Sequence, residues 1–318
     1  MFTALNHNKT PPVIMLAGCT ASGKSALAIK LASEINGVIV NVDSMQVYRD
    51  LRILTARPTI EEEQEASHYL YGYVDGSTAY SVADYLKAVQ QIIDSPLAQE
   101  RPLIFVGGTG LYFRAMLQGL APIPAIDADI RENIRRESLE MSATELYVRL
   151  KKCDPDTAQG LNPQDHQRIV RALEVWEQTG TSLVKFQKEP HVGIFSQQKP
   201  HCFFITRERQ LLIERINQRF DQMIAQGAVA EVERLLSRSL DPSLPLMRAH
   251  GVPRFIAYLR DQISFSDAIE QAKIETRQYA KRQMTWWRGS LPQWSVHSAD
   301  NSDHFISHVL QTVKAAQR

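Results

Sequence analysis

Eight residues near the start of the chain match the phosphate-loop pattern GxxxxGK[ST]. They read Gly18-Cys19-Thr20-Ala21-Ser22-Gly23-Lys24-Ser25 and stand between an apolar run and a helical pattern. Their two glycines let the backbone turn so that N–H groups face an anion beside the positive end of a helix. Lys24 adds a mobile cation, and the Ser25 hydroxyl suits Mg²⁺. The pattern predicts a di- or triphosphate site without saying which phosphate it holds.

Two further predicted strands end in residues that could do chemistry. Asp43 follows the run 38–42, and Thr109 follows two glycines after the run 103–106. Ligands of open α/β sheets bind beyond the carboxyl ends of the strands, so Asp43 should face the phosphate loop. Its carboxylate could be a Mg²⁺ ligand, a general base or a helix cap, and the residues alone slightly favour the metal ligand. Thr109 could bind a substrate or cap the following helix.

The stretch from residue 271 to 288 is the clearest basic patch. Its basic residues are Lys273, Arg277, Lys281, Arg282 and Arg288. Several of them share one helical face, and Trp286 and Trp287 adjoin it. Such a face is typical of a surface that follows a nucleic-acid backbone and stacks on bases. A solvated face with two core tryptophans would have the same composition.

Three other arginines are weaker candidates. Arg168 and Arg171 are three residues apart on a predicted helix, a pair that is unremarkable alone. Arg207 follows the fourth predicted strand, where it could clamp a diphosphate or form a solvated helix start.

The elements that must position these residues alternate between strands and helices. The β-type runs are 13–17, 38–42, 103–106 and 202–206, and the first three are continuous, as buried parallel strands tend to be. Predicted helices cover 128–138, 144–151, 164–178, 207–226, 228–238 and 266–288. We expect an α/β protein with a P-loop NTPase-like parallel sheet flanked by helices. Its core would be 1–114 and 196–294, with a helical insertion subdomain at 115–195 and a loose C-terminal appendage at 295–318.

Composition limits the remaining classes. The chain has 318 residues and a net charge of +1, so any surface for a polyanion must be local. The three cysteines are far apart and encode neither a disulfide framework nor a zinc site. Residues 1–9 lack the apolar core of a signal peptide, and no apolar run approaches membrane-spanning length. A soluble cytoplasmic protein without a membrane partner is expected.

Six blocks in order resemble the bacterial tRNA dimethylallyltransferases (tRNA isopentenyltransferases, the IPP transferase family) over roughly residues 12–290. The blocks are the phosphate loop, DSMQVYR at 43–49, TARP at 55–58, GGTGLY at 107–112, RIVRALEV at 168–175 and TRQYAKRQMTW at 276–286. There are two departures. Cys19 stands where the family often has proline, and RAHGVPR at 248–254 replaces a more usual Ile-Gly-Tyr-Arg segment.

The resemblance implies a transferase reaction. N6 of adenosine 37, next to the anticodon, attacks C1 of dimethylallyl diphosphate, giving N6-isopentenyladenosine and pyrophosphate. It implies that residues 18–25, Lys24 and Mg²⁺ near Ser25 hold the diphosphate, and we expect that ATP is not consumed despite the ATP-binding type of motif. Arg207 joins this set from its position after the fourth predicted strand. It makes Asp43 the base, with Lys24 and Thr109 as the other catalytic residues.

The resemblance also implies a tRNA surface and a tRNA anticodon loop as partner, and we expect the chain to act as a monomer. The residues expected to touch tRNA are Asp43, Ser44, Met45, Gln46, Thr109, Arg131, Gln167, Arg168, Ile169, Val170, Arg171, Arg277, Lys281, Arg282, Gln283, Trp286 and Arg288.

Three alternatives share parts of the pattern. A small-molecule kinase would have the loop, the sheet and Asp43 but leaves the basic helix unexplained. An adenylate isopentenyltransferase would use free AMP, ADP or ATP, whereas the long insertion and the basic helix favour a macromolecular acceptor. A nucleotide-switched RNA-binding protein is disfavoured by the lack of an NKxD guanine signature.

Overall fold

The sheet consists of six parallel strands in the order β3-β2-β4-β1-β5-β6. The computed structural model describes residues 11–316, so the expectation for residues 1–9 lies outside the described residues. The strands are β1 Val13–Gly18, β2 Val38–Asn41, β3 Ser67–Tyr69, β4 Leu103–Gly107, β5 His201–Thr206 and β6 Ser295–Ser298. The predicted α/β class with a parallel sheet flanked by helices is confirmed.

The four predicted strands are the central ones. Every residue of β1, β2 and β4 is buried, as their continuous apolar runs require between two helical layers. The two edge strands, β3 and β6, were missed because they are short and carry polar, partly exposed residues.

Helices cover both faces of the sheet and are joined to the strands by turns and irregular segments. In chain order they are α1 Lys24–Ile35, α2 Ile60–Glu65, α3 Val82–Ile93, α4 Pro96–Glu100, α5 Gly110–Gln118, α6 Ala128–Glu140, α7 Ala143–Cys153, α8 Pro155–Gln159, α9 His166–Thr179, α10 Leu183–Lys188, α11 Arg209–Ala225, α12 Ala228–Ser237, the 3₁₀ turn Pro245–Arg248, α13 Val252–Leu259, α14 Phe265–Ser290 and α15 Ser302–Ala316. None of them within residues 11–316 is long and apolar enough to cross a membrane.

The chain divides into two compact units. Unit 1 comprises Met1–Leu117 and Ile194–Arg318, and unit 2 is Gln118–Gly193. Unit 2 is helical, from α6 to α10, around its own apolar core, which includes Ile134, Leu146 and Ile169. It occupies nearly the range that the sequence predicted for a helical insertion.

The C-terminal segment corrects one expectation, because residues 295–316 are part of the main fold and not a loose appendage. Strand β6 pairs with β5 from Phe203 to Thr206. Helix α15 packs beside α1 and buries Phe305, Ile306 and Val309 in the apolar cluster on that face of the sheet. The polar residues of β6 concealed the strand from sequence reasoning.

This packing predicts a large stability effect from one side chain in α15. Phe305 is 1% exposed and lies edge-on to Phe203, with ring centroids 5.6 Å apart. Phe305→Ala should lower the free energy of unfolding by about 3–5 kcal/mol through lost burial and a new cavity. Denaturant unfolding would measure it. As the control, Val296→Thr on exposed β6 should change the free energy of unfolding by less than about 0.5 kcal/mol. If Phe305→Ala had an equally small effect, the C-terminal segment would not be part of the main fold.

Candidate active site at the phosphate loop

The phosphate loop joins β1 to α1 in a tightly confined backbone path. A Cβ on Gly18 would lie 2.6 Å from the carbonyl oxygen of Ile205, and Gly23 has φ +98°. Both positions therefore require glycine. The hydroxyl of Ser22 is buried and has no hydrogen-bond partner within residues 11–316. A buried donor of this kind is stabilised when a ligand or water supplies its partner.

Lys24 is held over the loop from the first residue of α1. Its ammonium donates to the Cys19 carbonyl oxygen, with an Nζ–O distance of 3.2 Å. Burial lowers the pKa of Lys24 to about 8; the nearby charge of Asp43 opposes this shift, and Arg219 adds to it. The Lys24 ammonium has a depressed pKa and no ion-pair partner among the described residues. An anion that binds beside it therefore stabilises the charged form of Lys24.

Two arginines that sequence reasoning missed face the loop from α11. Nε of Arg215 donates to the Ala21 carbonyl oxygen at 3.2 Å, and Nη2 of Arg219 donates to the Thr20 hydroxyl at 3.3 Å. A cavity of about 260 Å³ opens between them and the loop, lined also by Lys24 and Ser25. The spacing of four residues on one helix was the available signal. The two side chains add positive charge where a diphosphate would sit.

Asp43 follows β2 in a hydrogen-bonded turn. Its Oδ1 accepts from the backbone N–H groups of Met45 (2.9 Å) and Gln46 (3.3 Å). Among the described residues Oδ2 has no donor, so this oxygen is available to accept a proton. Asn41 braces the turn by accepting from the Asp43 N–H at 2.9 Å. The carboxylate is thus fixed by one oxygen and presented by the other.

Thr109 connects the ends of β2 and β4. Its hydroxyl oxygen accepts from the Ser44 N–H at 3.0 Å, and its own N–H donates to the Val42 carbonyl at 3.1 Å. A Cβ on Gly107 would lie 2.0 Å from that carbonyl, so only glycine allows this approach. Thr109 therefore fixes the turn that carries Asp43. Its contact with substrate stays a prediction.

The carboxamide of Gln283, on α14, bridges two loops. Its Oε1 accepts from the Thr20 N–H and its Nε2 donates to the Gly108 carbonyl, both at 2.9 Å. The predicted tRNA contact of Gln283 therefore competes with two hydrogen bonds inside the protein. Gln46, another predicted tRNA contact, is similarly engaged, because its Nε2 donates to the carbonyls of Thr55 and Ala56.

The basic face of α14 is only partly free. Lys281, Arg282 and Arg288 are exposed, whereas Arg277 is bound to Asn217 (2.8 Å) and Glu270 (2.9 Å). These three exposed cations remain candidates for RNA phosphates.

The two tryptophans of α14 have different roles. Trp287 is a core residue stacked on Phe204, with ring centroids 4.7 Å apart. It agrees with the alternative interpretation in which the tryptophans belong to the core. Trp286 is half-buried against Gly110, with the Arg114 guanidinium 5.9 Å from its ring centroid.

An aromatic pair adjoins the same helix. The rings of His250 and Tyr279 are 4.6 Å apart, and Arg282 lies 5.9 Å from the Tyr279 ring. Burial lowers the pKa of His250, and Arg282 lowers it further, so the imidazole is neutral at physiological pH. The segment that departs from the family pattern thus packs on α14 through His250.

The candidate RNA-binding residues of unit 2 lie on α6 and α9. Gln167 and Arg168 are exposed, and Arg131 and Arg171 are half-buried. Arg171 pairs with the buried carboxylate of Glu174 at 3.2 Å. The side chains of Ile169 and Val170 lie in the apolar core of unit 2, so a contact with RNA there would have to come from the backbone, and their assignment as tRNA contacts stays a prediction. The sequence block placed them between exposed residues without showing which face was buried.

The residues at the loop fit a magnesium ion held mainly by ligand oxygens. Within residues 11–316 no three acidic, histidine or cysteine side chains form a metal cluster. Mg²⁺ commonly keeps several waters and binds through substrate phosphates plus one or two protein oxygens. The exposed Ser25 hydroxyl at the start of α1 can supply one such oxygen.

Fold and site together define a phosphate-loop α/β protein with a carboxylate at the end of β2, which β4 separates from the loop-bearing β1. The family model described as IPP transferase matches residues 46–290. A curated tRNA dimethylallyltransferase of Beijerinckia indica is 48% identical, covering 94% of this chain and 99% of its own, and one of Methylocella silvestris is 50% identical, covering 88% and 92%. The chain belongs to the IPP transferase family.

Solved structures agree. A tRNA isopentenylpyrophosphate transferase of Bacillus halodurans superposes with a TM-score of 0.68 at 29% identity, covering 96% of this chain and 97% of its own. A eukaryotic dimethylallyltransferase acting on tRNA gives 0.72 at 28% identity, covering 87% and 70%.

The lowered pKa of Lys24 predicts pH-dependent binding of inorganic pyrophosphate. An anion stabilises the ammonium, so binding raises the pKa and takes up about half a proton at pH near 8. Affinity should fall as pH rises from about 7 to about 9. Calorimetry in buffers of different ionisation enthalpy would measure the uptake. Pyrophosphate itself titrates in this range, so the contribution of the lysine is the difference between two proteins. Lys24→Arg should take up about half a proton fewer than wild type, because arginine stays protonated; equal uptake by both would assign the proton elsewhere.

Proposed function

We propose that the chain transfers a dimethylallyl group from dimethylallyl diphosphate to N6 of adenosine 37 in tRNA, releasing pyrophosphate. The observation that carries this proposal is the pairing of a cation-rich phosphate loop with Asp43, whose Oδ2 is open to a proton. Membership of a family whose curated members are tRNA dimethylallyltransferases supports the same reaction.

The phosphate loop serves the leaving group. As the bond between C1 and the diphosphate oxygen breaks, negative charge grows on the diphosphate. Lys24, Arg215 and Arg219 surround that position and are already oriented by bonds to the loop. Preorganised donors aimed at developing charge lower the barrier more than they stabilise the bound substrate. Arg207, beside Gly23, belongs to the same group in this proposal.

Asp43 serves the nucleophile. The exocyclic amine of adenine is a weak nucleophile, and it must lose a proton as the new C–N bond forms. Oδ2 of Asp43 accepts that proton, while Oδ1 remains fixed by the N–H groups of Met45 and Gln46. Proton transfer of this kind contributes about 10²–10⁴ in rate.

Mg²⁺ bound to the diphosphate would neutralise part of its charge and act as a Lewis acid. In the proposal the Ser25 hydroxyl is its protein ligand, and the ion is a cofactor of the reaction. The chain's own cations then account for the remaining phosphate charge.

The acceptor is recognised as an unpaired loop of RNA. The target base must leave its stack to reach the partly buried carboxylate of Asp43, as enzymes that modify bases require. In this proposal Lys281, Arg282 and Arg288 bind RNA phosphates, and Trp286 and Thr109 contact the nucleotide. Arg131, Gln167, Arg168 and Arg171 of unit 2 add further RNA contacts. We infer that the chain works as a cytoplasmic monomer.

The direct test is product formation. Wild-type protein incubated with labelled dimethylallyl diphosphate, Mg²⁺ and unmodified tRNA should yield N6-isopentenyladenosine without any ATP. Nucleoside analysis would identify the product. Free AMP and ATP serve as competing acceptors, and preferential labelling of either would favour the adenylate isopentenyltransferase. ATP turnover stimulated by tRNA would favour phosphoryl-transfer or switch chemistry instead.

Replacing the carboxylate tests Asp43 as the base. Asp43→Asn keeps an oxygen for the N–H groups of Met45 and Gln46 but removes the proton acceptor, so single-turnover transfer should fall by about 10²–10⁴. The affinity for pyrophosphate should change little. The exposed Asp94→Asn is the control and should keep the wild-type rate. If raised Mg²⁺ restored the variant, Asp43 would be a metal-shell ligand and the base assignment would be wrong.

A further inference from the structure

Asp300 lies after β6, in the segment that completes the sheet, and it pairs with Arg207. The carboxylate Oδ1 accepts from Nη1 of Arg207. The N–H of the neighbouring Ala299 donates to the Thr206 carbonyl at 3.1 Å, so the two chain segments are fixed side by side. The family model that matches the chain ends at residue 290, before this segment begins.

The other edge of the Arg207 guanidinium faces the phosphate loop. A Cβ on Gly23 would lie 3.5 Å from Nη2 of Arg207 and 3.3 Å from the Cβ of Ala299. Nε of Arg207 is buried and has no hydrogen-bond partner within residues 11–316. The Nε–Nη2 edge is the one that can bind a phosphate through two parallel hydrogen bonds. One edge is therefore anchored to Asp300, and on the other edge, beside Gly23, Nε has no partner.

We propose that Asp300 is a positioning residue that holds Arg207 in the orientation needed to bind the diphosphate leaving group. The inference rests on the proposed function of the phosphate loop and adds the C-terminal segment to that site. A free arginine side chain loses rotamer freedom when it binds a ligand. Anchoring through Nη1 removes part of that loss before the ligand arrives.

Asp300 has two opposing effects on diphosphate binding: its charge repels the anion, and its bond to Arg207 orders the arginine side chain. The Asp300 side chain is 44% exposed, so water screens its repulsion of a diphosphate. Ordering one long side chain on binding reduces affinity by about three- to tenfold. Loss of the anchor should therefore weaken binding, even though it removes a negative charge.

The chain offers a matched control on the same segment. Asp303, at the start of α15, pairs with Lys30 of α1 and is 82% exposed. Asp303→Ala removes an ion pair that docks α15 but lies outside the group of residues around Gly23. It reports any general loosening of the C-terminal segment.

The experiment is a double-mutant cycle on the full chain with inorganic pyrophosphate as the probe. Asp300→Ala should raise the calorimetric Kd about three- to tenfold, and Asp300→Asn should raise it less because the amide oxygen still accepts. In an Arg207→Met background, Asp300→Ala should have no effect. Asp303→Ala should leave the Kd within about twofold.

Several results would overturn the proposal. Tighter binding by Asp300→Ala would make Asp300 a competitor for Arg207. Additive effects in the cycle, or an equal loss with Asp303→Ala, would make the segment merely structural. A folding defect in Asp300→Ala is bypassed with Asp300→Ser, which is too short to keep the bond to Arg207 and should raise the Kd as much; an unchanged Kd in that variant would also count against the proposal. Absence of pyrophosphate binding by wild type would instead reject the proposed leaving-group site, and absence of isopentenyladenosine with intact binding would reject the acceptor chemistry alone.

Discussion

One carboxamide sets the geometry on which the site depends. Gln283 accepts from the N–H of Thr20 in the phosphate loop and donates to the carbonyl of Gly108 beyond β4. Next along the chain, Thr109 binds the Ser44 N–H, and that turn carries Asp43. Because the polarity of an amide is fixed, Gln283 satisfies one donor and one acceptor that neither carboxylate nor ammonium could satisfy together. The cation site and the carboxylate are thereby held in one network.

The network surrounds polar groups that the protein itself leaves unsatisfied. The Ser22 hydroxyl and the Nε of Arg207 are buried without partners in the described part of the chain, and Lys24 carries a depressed pKa because its ammonium is poorly solvated. Each arrangement destabilises the unliganded protein. Arg52, Arg57 and Trp287 also carry such atoms elsewhere, but at the phosphate loop the two atoms lie beside the Lys24 ammonium, an arrangement that favours a bound anion. The arrangement at the phosphate loop thus lowers the stability of the unliganded protein and favours ligand binding, as is common at functional sites.

The sequence could predict whatever depended on local pattern. The loop, the central strands and most of α14 were recoverable, since continuous apolar runs and a contiguous motif need no knowledge of tertiary contacts. Arg215 and Arg219 were missed because their spacing of four residues shows only that they share a helical face, whereas their relevance comes from α11 lying over the loop, a tertiary contact. The burial of the Ile169 and Val170 side chains was not predicted, because a family block does not show which side of a helix is buried. The β6 strand was missed because SVHS has no apolar pattern.

Helix α14 links the two substrates of the proposed reaction. Its Gln283 fixes the phosphate loop, while Lys281 and Arg282, two residues and one residue earlier, are exposed. At a rise of about 1.5 Å per residue, these cations lie about 3 Å or less along the axis from Gln283. A phosphate loop by itself only stabilises negative charge on a leaving group. The chemistry is decided by which nucleophile is brought opposite it. A single rigid helix that touches both the loop and solvent can place an RNA acceptor at a fixed distance from the diphosphate, without a separate element to connect them.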